Sequence, residues 1–381
     1  MNSDFLIIGG GIAGASAAYE LAAHGGVILA ERESAPGYHA TGRSAAMFLE
    51  NYGAPTVLGL ASASRGFLVA PPEGFSPSAI LSPRAVLYIA REDQIDSLET
   101  ILAASRNASA PLSRIGGARA REMIPVLRGD YVADALIETG SYEIDVHALH
   151  NGFLRGFKAR GGRLVTGAEI TALERRRGLW RAATAAGEMA APVVVNAAGA
   201  WADEIARLAG VAPLGLIPKR RTMVTFDPPD GIDTAGWPMA IDIDEQFYFK
   251  PEAGRILASP ADETPMSPCD VQPDEIDIAI AIDRVSAAAD FDVRRISHSW
   301  AGLRSFVADE APVVGYAPDD DGFFWLAGQG GIGIMTSPAT ARVAAALALG
   351  SEVPADIMEH GVTAAALAPG RPGIREPDLT G

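Results

Sequence analysis

The sequence predicts an α/β protein whose larger domain is assembled from discontinuous segments and whose second domain carries a mixed or antiparallel sheet. Three stretches of the chain predict this fold. Residues 4–31 follow the pattern strand, glycine-rich turn, helix, strand, while 192–196 and 323–327 are further apolar runs leading into small residues. Continuous apolar strands of this kind are typical of a parallel sheet covered on both faces. We therefore expect the three stretches to share one domain, although they lie far apart along the chain.

The other elements follow from the spacing of apolar residues. Helices are expected at 15–24, 91–106, 145–160, 201–209 and from 333 to 349. Strands are expected at 5–8, 27–30, 81–90, 163–165, 170–174, 192–196 and 323–327, with antiparallel strands between 222 and 259. This order divides the chain into a larger domain of residues 1–80, 145–215 and 300–381 and a second domain of residues 81–144 and 216–299.

Composition excludes several classes of protein. The net charge is −16, from 31 Lys plus Arg against 47 Asp plus Glu, and such a surface repels nucleic acids and anionic membranes. Apolar runs of about 18 residues, which a transmembrane helix requires, do not occur, and the first residues lack the basic region of a signal peptide. We therefore expect a cytoplasmic protein. One cysteine, Cys269, and six scattered histidines predict neither an internal disulfide nor a metal site.

The first functional pattern is the glycine loop Gly9-x-Gly11-x-x-Gly14. In a Rossmann-like βαβ unit the first glycine allows the tight turn, the second lets the backbone approach a pyrophosphate, and the third lets helix and strand pack closely. The helix behind the loop offers free N–H groups and the positive end of its dipole to phosphates. Glu31, at the end of the second strand, can accept hydrogen bonds from ribose hydroxyls. The pattern predicts dinucleotide binding; a glycine-rich structural turn is the alternative.

Two later features favour FAD over NAD as the dinucleotide. The strand at 193–196 ends in Ala197, Ala198 and Gly199, small residues that let the backbone lie close to a cofactor. The glycine-rich loop 328–333 opens a helix whose N-terminus can stabilise negative charge on a reduced flavin. A structural glycine turn remains the alternative for this loop.

At this point the residues carry a family resemblance that extends over nearly the whole chain. The sequence resembles the FAD-dependent D-amino-acid oxidase superfamily, in its glycine oxidase-like branch, and within that branch the bacterial D-arginine dehydrogenases. The matching stretches are Gly-Tyr-His-Ala-Thr-Gly-Arg-Ser-Ala-Ala at 37–46, Leu-Ser-Pro-Arg at 81–84, Asn-Ala-Ala-Gly-Ala-Trp at 196–201, Pro-Lys-Arg-Arg at 218–221, Trp-Ala-Gly-Leu-Arg-Ser at 300–305 and Gln-Gly-Gly at 329–331.

The resemblance implies noncovalent FAD, because Cys269 lies in a polar loop that we expect to be far from the cofactor segments. The pyrophosphate would lie at 9–14, the ribose at Glu31 and the flavin near 41–46 and 328–334. The implied cofactor residues are Gly9, Gly11, Ile12, Ala13, Gly14, Glu31, Arg32, Thr41, Gly42, Arg43, Ser44, Ala45, Ala46, Ile170, Ala198, Gly199, Gly302, Gly330, Gly331, Ile332, Gly333 and Ile334.

The resemblance also implies the residues that bind substrate. Arg304 and Arg221 match arginines that serve substrate binding, and a guanidinium binds a carboxylate through a planar, bidentate fork. Tyr248 matches a tyrosine that hydrogen-bonds the substrate carboxylate, and Tyr52 matches another tyrosine near the flavin. The neighbouring Arg220 is the alternative to Arg221, and a structural ion pair is the alternative for either arginine.

Departures from the D-arginine dehydrogenase pattern concern the side-chain pocket, which we expect to include Met47, Leu49, Val86, Gly331 and Ile332. Ala85-Val86 replaces a glutamate that contacts the cationic side chain, Met47 replaces a histidine, and Leu49 and Ile332 replace a polar residue and a tyrosine. A charge-assisted hydrogen bond contributes about 1.5–3 kcal/mol, so its loss predicts a pocket for apolar or uncharged side chains. A relocated acid such as Glu50 would restore binding of a cationic substrate.

The resemblance implies an enzyme that removes a hydride from the Cα of a small amino acid, in the D configuration, and passes it to flavin N5. The imine hydrolyses to a 2-oxo acid and ammonia, and the electrons pass to oxygen, a quinone or another carrier. Three activities are alternatives: oxidation of secondary amines such as N-methyl or cyclic amino acids, oxidation of D-arginine itself, and oxidation of 2-hydroxy acids. A flavin-binding subunit without amine chemistry is the alternative from another class.

Overall fold

The structure, a computed structural model, describes residues 1–105 and 110–375. Its strands in the first half of the chain are β1 (Phe5–Ile8), β2 (Val27–Ala30), β3 (Met47–Phe48), β4 (Leu81–Pro83), β5 (Val86–Ala90), β6 (Ser113–Arg114), β7 (Asp134–Glu138), β8 (Tyr142–Ile144), β9 (Arg163–Val165), β10 (Ala172–Arg176) and β11 (Leu179–Ala183). Those in the second half are β12 (Met189–Ala191), β13 (Val193–Asn196), β14 (Ile217–Phe226), β15 (Met239–Asp242), β16 (Tyr248–Glu252), β17 (Arg255–Ser259), β18 (Thr264–Pro265), β19 (Ile296–Phe306), β20 (Val313–Ala317) and β21 (Asp320–Ala327).

The helices pack around these strands. They are α1 (Ile12–Leu21), α2 (Pro55–Val69), α3 (Ile95–Ala104), α4 (Gly116–Met123), α5 (Val146–Ala159), α6 (Ala202–Ala209), α7 (Glu275–Ala288), α8 (Gly333–Ala348), α9 (Ala355–Met358) and α10 (Ala364–Leu367). Short 3₁₀ turns occupy Ala40–Arg43, Glu92–Gln94 and Gly199–Trp201. Within the described ranges, no helix combines the length and the apolar character that crossing a membrane requires.

The first sheet is the parallel sheet that the sequence predicts. Its strand order is β20-β21-β13-β1-β2-β9, with every neighbouring pair parallel except β20 and β21. Ile7 lies beside Leu29 on one side and Val195 on the other, and Val195 lies beside Phe324. Residues from three distant segments therefore form one continuous buried row, which confirms the α/β fold.

Both faces of this sheet are covered, because its strands are apolar on both sides. Ile7 and its neighbours face a core formed with α1, α2, α5 and α8. Leu6 and its neighbours face a second core that contains Trp180 of β11, Met189 of β12 and Ile205 of α6. The antiparallel sheet β10-β11-β12 thus supplies the layer on the second face.

The largest sheet is mixed and follows the order β18-β14-β17-β16-β15-β5-β7-β6, with β19 paired to β14. Most pairs are antiparallel, as the sequence predicts for 222–259, and β15 and β5 are parallel. A small third sheet, β3-β8-β4, is formed by short strands that are interleaved in sequence with those of the large sheets. Strand β19 crosses the predicted boundary at residues 299 and 300, and the division into domains stays a prediction.

Several predicted bounds are corrected by the structure. The predicted strand 81–90 is two strands in different sheets: β4 pairs with β8 and β5 pairs with β7, since Pro83 cannot continue a ladder as a donor. Helix α1 begins at Ile12 and not at residue 15. The predicted helix 91–106 is a 3₁₀ turn followed by α3, and its last residue, Arg106, lies outside the described residues, as do 376–381 of the C-terminal segment.

Candidate active site

A cavity of about 480 Å³ is lined by residues of both the first sheet and the largest sheet. This volume lies within the range of about 300–1,000 Å³ that is usual for small-molecule sites. The predicted cofactor residues that line it are Gly9, Gly11, Ile12, Ala13, Glu31, Arg32, Thr41, Arg43, Ser44, Ala45, Ala46, Ile170, Ala198, Gly199, Gly302, Gly330, Gly331, Ile332, Gly333 and Ile334. The predicted substrate residues that line it are Met47, Leu49, Tyr52, Arg221, Tyr248 and Arg304. Both sets therefore open to one space.

The glycine loop needs glycine at its ends for steric reasons. Gly9 has a φ of +106°, and a Cβ there would collide with the carbonyl oxygen of Ala197. A Cβ at Gly14 would collide with the carbonyl oxygen of Gly9. Gly14 therefore lies behind the cavity wall, where it allows α1 to pack on the loop.

Hydrogen bonds hold this loop in place. The buried Glu31 carboxylate accepts from the backbone N–H of Gly10 at 2.7 Å and of Glu33 at 2.8 Å. His150 lies 2.9 Å from the Gly10 carbonyl through Nε2, and a carbonyl only accepts, so Nε2 carries the proton. Burial lowers the pKa of His150, which favours the neutral ring. The loop thus keeps its shape independently of a ligand.

Two helix N-termini meet at the cavity, and this arrangement fits FAD. Gly11 precedes α1 and Ile332 precedes α8, and neither of these two residues caps its helix through its own side chain. The first N–H groups of a helix lack intrahelical partners and carry positive partial charge. The Nε2 amide of Gln329, which also lines the cavity, is buried with no hydrogen-bond partner among the described residues. The two dipoles suit a pyrophosphate and an electron-rich flavin, and the amide is a further donor.

A second loop, 37–46, covers the cavity beside the glycine loop. Thr41 Oγ1 accepts from the Ile12 N–H at 2.9 Å. Arg43 donates through Nη1 to the carbonyl oxygens of Val271 at 2.9 Å and Ala301 at 3.1 Å, and it pairs with Asp270. Gly42 is not a lining residue, and a Cβ there would crowd the Gly37 carbonyl. This loop is therefore tied to α1, to β19 and to the loop that contains Asp270 and Val271.

Adjacent strands bring the two predicted arginines together. Arg221 on β14 pairs in register with Gly302 on β19, two residues from Arg304. Arg221 Nε donates to the Asp262 carbonyl at 3.0 Å. Arg304 Nε is buried and lacks a hydrogen-bond partner within the described part of the chain. Two guanidinium groups thus reach the cavity wall, one of them with an unused buried donor.

Strand alternation separates the two candidates at 220 and 221, because successive side chains on a strand point to opposite faces. Arg220 forms ion pairs with Asp277 at 2.7 Å and Asp262 at 3.6 Å. Arg221 lines the cavity, with its guanidinium 5.9 Å from the centre of the Tyr248 ring. The geometry therefore favours Arg221 over Arg220 as the pocket residue.

Glu245, which the sequence analysis missed, brings an acidic group to the same wall. It lies in the turn between β15 and β16, and its Oε2 is 3.5 Å from the Tyr52 hydroxyl. Burial raises the pKa of Glu245, against the opposing influence of Arg221 and Arg304. Burial and the Glu245 charge raise the pKa of Tyr52, so its hydroxyl stays protonated. The sequence gives no signal for an acid three residues before Tyr248, because only the hairpin geometry places Glu245 at the wall.

An apolar cluster forms the part of the wall away from the glycine loop. It contains Met47, Leu49, Val86, Met239 and Ile241, with three tyrosines, Tyr52, Tyr88 and Tyr248, packed against it. Val86 corrects the prediction: it is fully buried one layer behind the wall, and Tyr88 lines the cavity. Met239 and Ile241 alternate on β15, a period-2 pattern that could have indicated them.

Two other expectations are corrected. Cys269 lines the cavity beside Val271, and so it is not far from the cofactor segments as expected. Its loop is held against the wall by the Arg43–Asp270 ion pair, a contact that sequence spacing does not reveal. Glu50 is buried and pairs with Arg65 at 2.8 Å, so its carboxylate is already engaged.

Comparisons with known proteins agree with this geometry. The chain is 25% identical over 375 residues to the uncharacterized oxidoreductase YurR of Bacillus subtilis (strain 168), covering 93% of this chain and 97% of that protein. It is 23% identical over 369 residues to a glycine oxidase of Geobacillus kaustophilus (strain HTA426), covering 94% and 96%. The crystal structure of glycine oxidase from Geobacillus kaustophilus superposes with a TM-score of 0.82 over 92% of this chain and 95% of that one, at 24% identity. The crystal structure of L-proline dehydrogenase from P. horikoshii gives 0.81 over 95% and 99%, at 20% identity.

Likeness to solved structures at these identities shows the fold alone. The family described as FAD dependent oxidoreductase, however, matches residues 4–347, which is most of the chain. This match, with the glycine loop and the two helix N-termini at one cavity, shows that the chain belongs to the FAD dependent oxidoreductase family and has FAD as its cofactor.

Proposed function

We propose that this enzyme oxidises a small amino acid, of D configuration and with an apolar or uncharged side chain, to the 2-oxo acid and ammonia. One observation carries the proposal: Arg221, Arg304 and Tyr248 line the same cavity as the cofactor loop 330–334 and the apolar cluster. Arginine binds a carboxylate through a planar fork that fixes orientation as well as charge. The cavity therefore offers a carboxylate site, an apolar side-chain site and a cofactor site in one space.

Positioning is the main contribution of the chain to the reaction. Bound FAD supplies the acceptor for the hydrogen that leaves Cα as a hydride. Arg221 and Arg304 hold the carboxylate, and the Tyr248 hydroxyl donates a hydrogen bond to it.

The apolar cluster supports the choice of side chain. Met47, Leu49, Met239 and Ile241 are nearly inaccessible to solvent, and they offer no partner to a charged side chain. An unpaired charge buried against them would lose its hydration without compensation. The walls also keep water from the site where the amine is oxidised.

A cationic substrate such as D-arginine is a second candidate, and Glu245 favours it. This carboxylate lines the cavity beside Tyr52, so it is placed to pair with a cationic group. Glu50, in contrast, already pairs with Arg65. The apolar cluster has more members at the cavity than the single acid, and we therefore place uncharged substrates first.

Anaerobic mixing of the purified yellow protein with a panel of D- and L-amino acids tests the proposal. We expect rapid bleaching of the flavin absorbance by apolar D-amino acids and slow bleaching by their L-enantiomers. Fastest bleaching by D-arginine would move the assignment to the second candidate. Fastest bleaching by sarcosine or proline would move it to secondary amines, and bleaching by 2-hydroxy acids alone would overturn amine oxidation.

The physiological electron acceptor is the remaining part of the proposal. We propose a dehydrogenase that passes electrons to a quinone or another carrier, on the resemblance to D-arginine dehydrogenases. Reoxidation of the bleached protein by oxygen and by a soluble quinone, measured side by side, distinguishes the two: faster reoxidation by oxygen would make the enzyme an oxidase. A cytoplasmic location is likewise proposed.

A further inference from the structure

Three cationic side chains lie on one face of the β14-β19 ribbon. Lys219 is directly opposite Arg304 in the register of the two strands, and Arg221, two residues after Lys219, points to the same side. Like charges directly opposite each other on a sheet are destabilising. This arrangement therefore requires a nearby anion.

Glu263 supplies that anion to all three cations. Its Oε1 lies 2.6 Å from Arg304 Nη2 and 3.3 Å from Arg221 Nη2, and its Oε2 lies 2.9 Å from Lys219 Nζ. Burial alone would raise the pKa of Glu263, but hydrogen bonds from Lys219 and Arg304 hold it below its ordinary value. The carboxylate is therefore ionised at neutral pH, with one oxygen shared by both cavity arginines.

A built loop holds Glu263 in this position. The preceding Asp262 accepts hydrogen bonds from the Thr222 N–H at 2.6 Å and the Thr222 hydroxyl at 3.1 Å. Ala261 has a φ of +54°, a left-handed conformation that costs a residue with a Cβ free energy and persists only where the surroundings impose it. The loop is thus docked on β14 in a single, strained form.

Glu263 contacts both arginines but is not itself a lining residue of the cavity. Arg221 and Arg304 line the cavity, whereas the Glu263 side chain is 43% exposed to solvent. Arg304 Nε has no partner within residues 1–105 and 110–375. Each guanidinium therefore keeps donors for a ligand in the cavity while one Nη2 is held by Glu263.

We propose that Glu263 is a positioning residue that orients the guanidinium groups of Arg221 and Arg304 for the substrate carboxylate. This inference rests on the proposed amino-acid oxidation. Because Glu263 acts through the arginines, it affects the position of the bound substrate carboxylate more than the affinity for it. Removing the negative charge of Glu263 strengthens the attraction of the three cations for an anion. At the same time, the guanidinium groups of Arg221 and Arg304 lose the carboxylate that orients both of them.

In Glu263→Gln we expect turnover, measured as kcat, to fall while the affinity for a carboxylate ligand is retained. We expect kcat for the preferred amino acid to fall about 10- to 100-fold, because small misplacements of the reacting groups cost factors of this size. Benzoate, a carboxylate without an α-amine, perturbs the flavin spectrum when it binds, and this change gives its Kd. We expect the Kd of benzoate not to rise in the variant. Benzamide, the neutral analogue, reports binding that does not depend on the carboxylate.

The matched control is Glu310→Gln. Glu310 lies 3.9 Å from Lys219 Nζ, and its side chain is 62% exposed. We expect the Glu310→Gln variant to retain the wild-type kcat and benzoate Kd. An unchanged kcat in Glu263→Gln, or a benzoate Kd that rises in proportion to the loss of kcat, would overturn the proposal. If Glu263→Gln does not fold, Glu263→Asp, which withdraws the charge by one methylene, is expected to lower kcat without weakening benzoate, and a wild-type kcat there would overturn it.

This experiment distinguishes a failure of the proposed amino-acid oxidation from a failure of the role of Glu263. A wild-type protein that no amino acid reduces would contradict the proposed function. A wild-type protein that amino acids reduce, beside a Glu263→Gln variant of equal kcat, would contradict the role of Glu263 alone.

Discussion

The Tyr52 hydroxyl lies 3.5 Å from Oε2 of Glu245, where the segment after β3 meets the turn between β15 and β16. That turn is held by the fully buried Asp242, whose carboxylate accepts from the Asp244 and Gln246 N–H groups. Glu245 itself has a φ of +54°, which is uncommon for a residue with a Cβ. The fold therefore presents the Glu245 carboxylate to the part of the wall formed by Arg221, Arg304 and the apolar cluster.

This acid predicts a pH dependence of substrate choice. Burial raises the pKa of Glu245, so its negative charge is lost, as the pH falls, earlier than that of an ordinary glutamate. We expect the ratio of kcat/KM for D-arginine to that for D-leucine to fall as the pH drops through this raised pKa. In Glu245→Gln the ratio is expected to be low and independent of pH. If the ratio still depended on pH in the variant, a group other than Glu245 would bind the cationic side chain of the substrate.

Arg304 is expected to contribute to catalysis through carboxylate binding. In Arg304→Met we expect kcat/KM to fall about 10- to 150-fold, since hydrogen bonds to charged groups contribute about 1.5–3 kcal/mol. Arg119→Met, on the exposed surface of α4, where Arg119 pairs with Glu122 of its own helix, is the control and is expected to retain wild-type kinetics. Equal kinetics in both variants would place the substrate carboxylate elsewhere.

The glycine loop predicts a stability effect tied to FAD. In Gly14→Ala the new Cβ would collide with the Gly9 carbonyl, so we expect less bound FAD per protein and a lower Tm. Gly66→Ala, inside α2 and with no atom within 4 Å of the Cβ position in the described chain, is the control. It is expected to keep its FAD and gain about 0.5–1 kcal/mol from the better helix propensity of alanine. Full FAD retention in Gly14→Ala would contradict the close packing.

The position of Cys269 gives a test of how FAD is attached. Although its side chain lines the cavity, we predict noncovalent FAD, so denaturation with acid should release all flavin into the supernatant. Flavin that stays with the precipitated wild-type protein but not with Cys269→Ser would show a thioether and contradict the prediction.

The strands β1, β2, β9, β13 and β21 of the first sheet were predictable because their signals are local. The apolar runs at β1, β2, β13 and β21 and the glycine loop give the strand–turn–helix pattern without long-range information. Helix α2 was missed although Pro55 stands at its first turn, a position that proline favours. The split of 81–90 into β4 and β5 depends on which sheet each half joins, and that is decided by partners far along the chain.

The site was predictable only where single positions match known patterns. Arg221 and Arg304 were predicted in this way and line the cavity, whereas Glu245 and Glu263 were not predicted, because their positions depend on loops that approach the strands in three dimensions. Val86 was placed at the wall from its sequence position, whereas Tyr88, two residues further along the same face of β5, lines the cavity. Charge clusters and cavity walls of this kind are properties of packing, not of spacing.

In the reaction that we propose, a hydride leaves Cα of an amino acid whose carboxylate Arg221 and Arg304 hold. Anaerobic single turnover with the preferred amino acid, protiated or deuterated at Cα, with flavin bleaching and products measured together, tests this reaction. We expect slower bleaching with deuterium and one equivalent each of 2-oxo acid and ammonia per FAD reduced. Bleaching without ammonia, or no reduction by any amine, would contradict it.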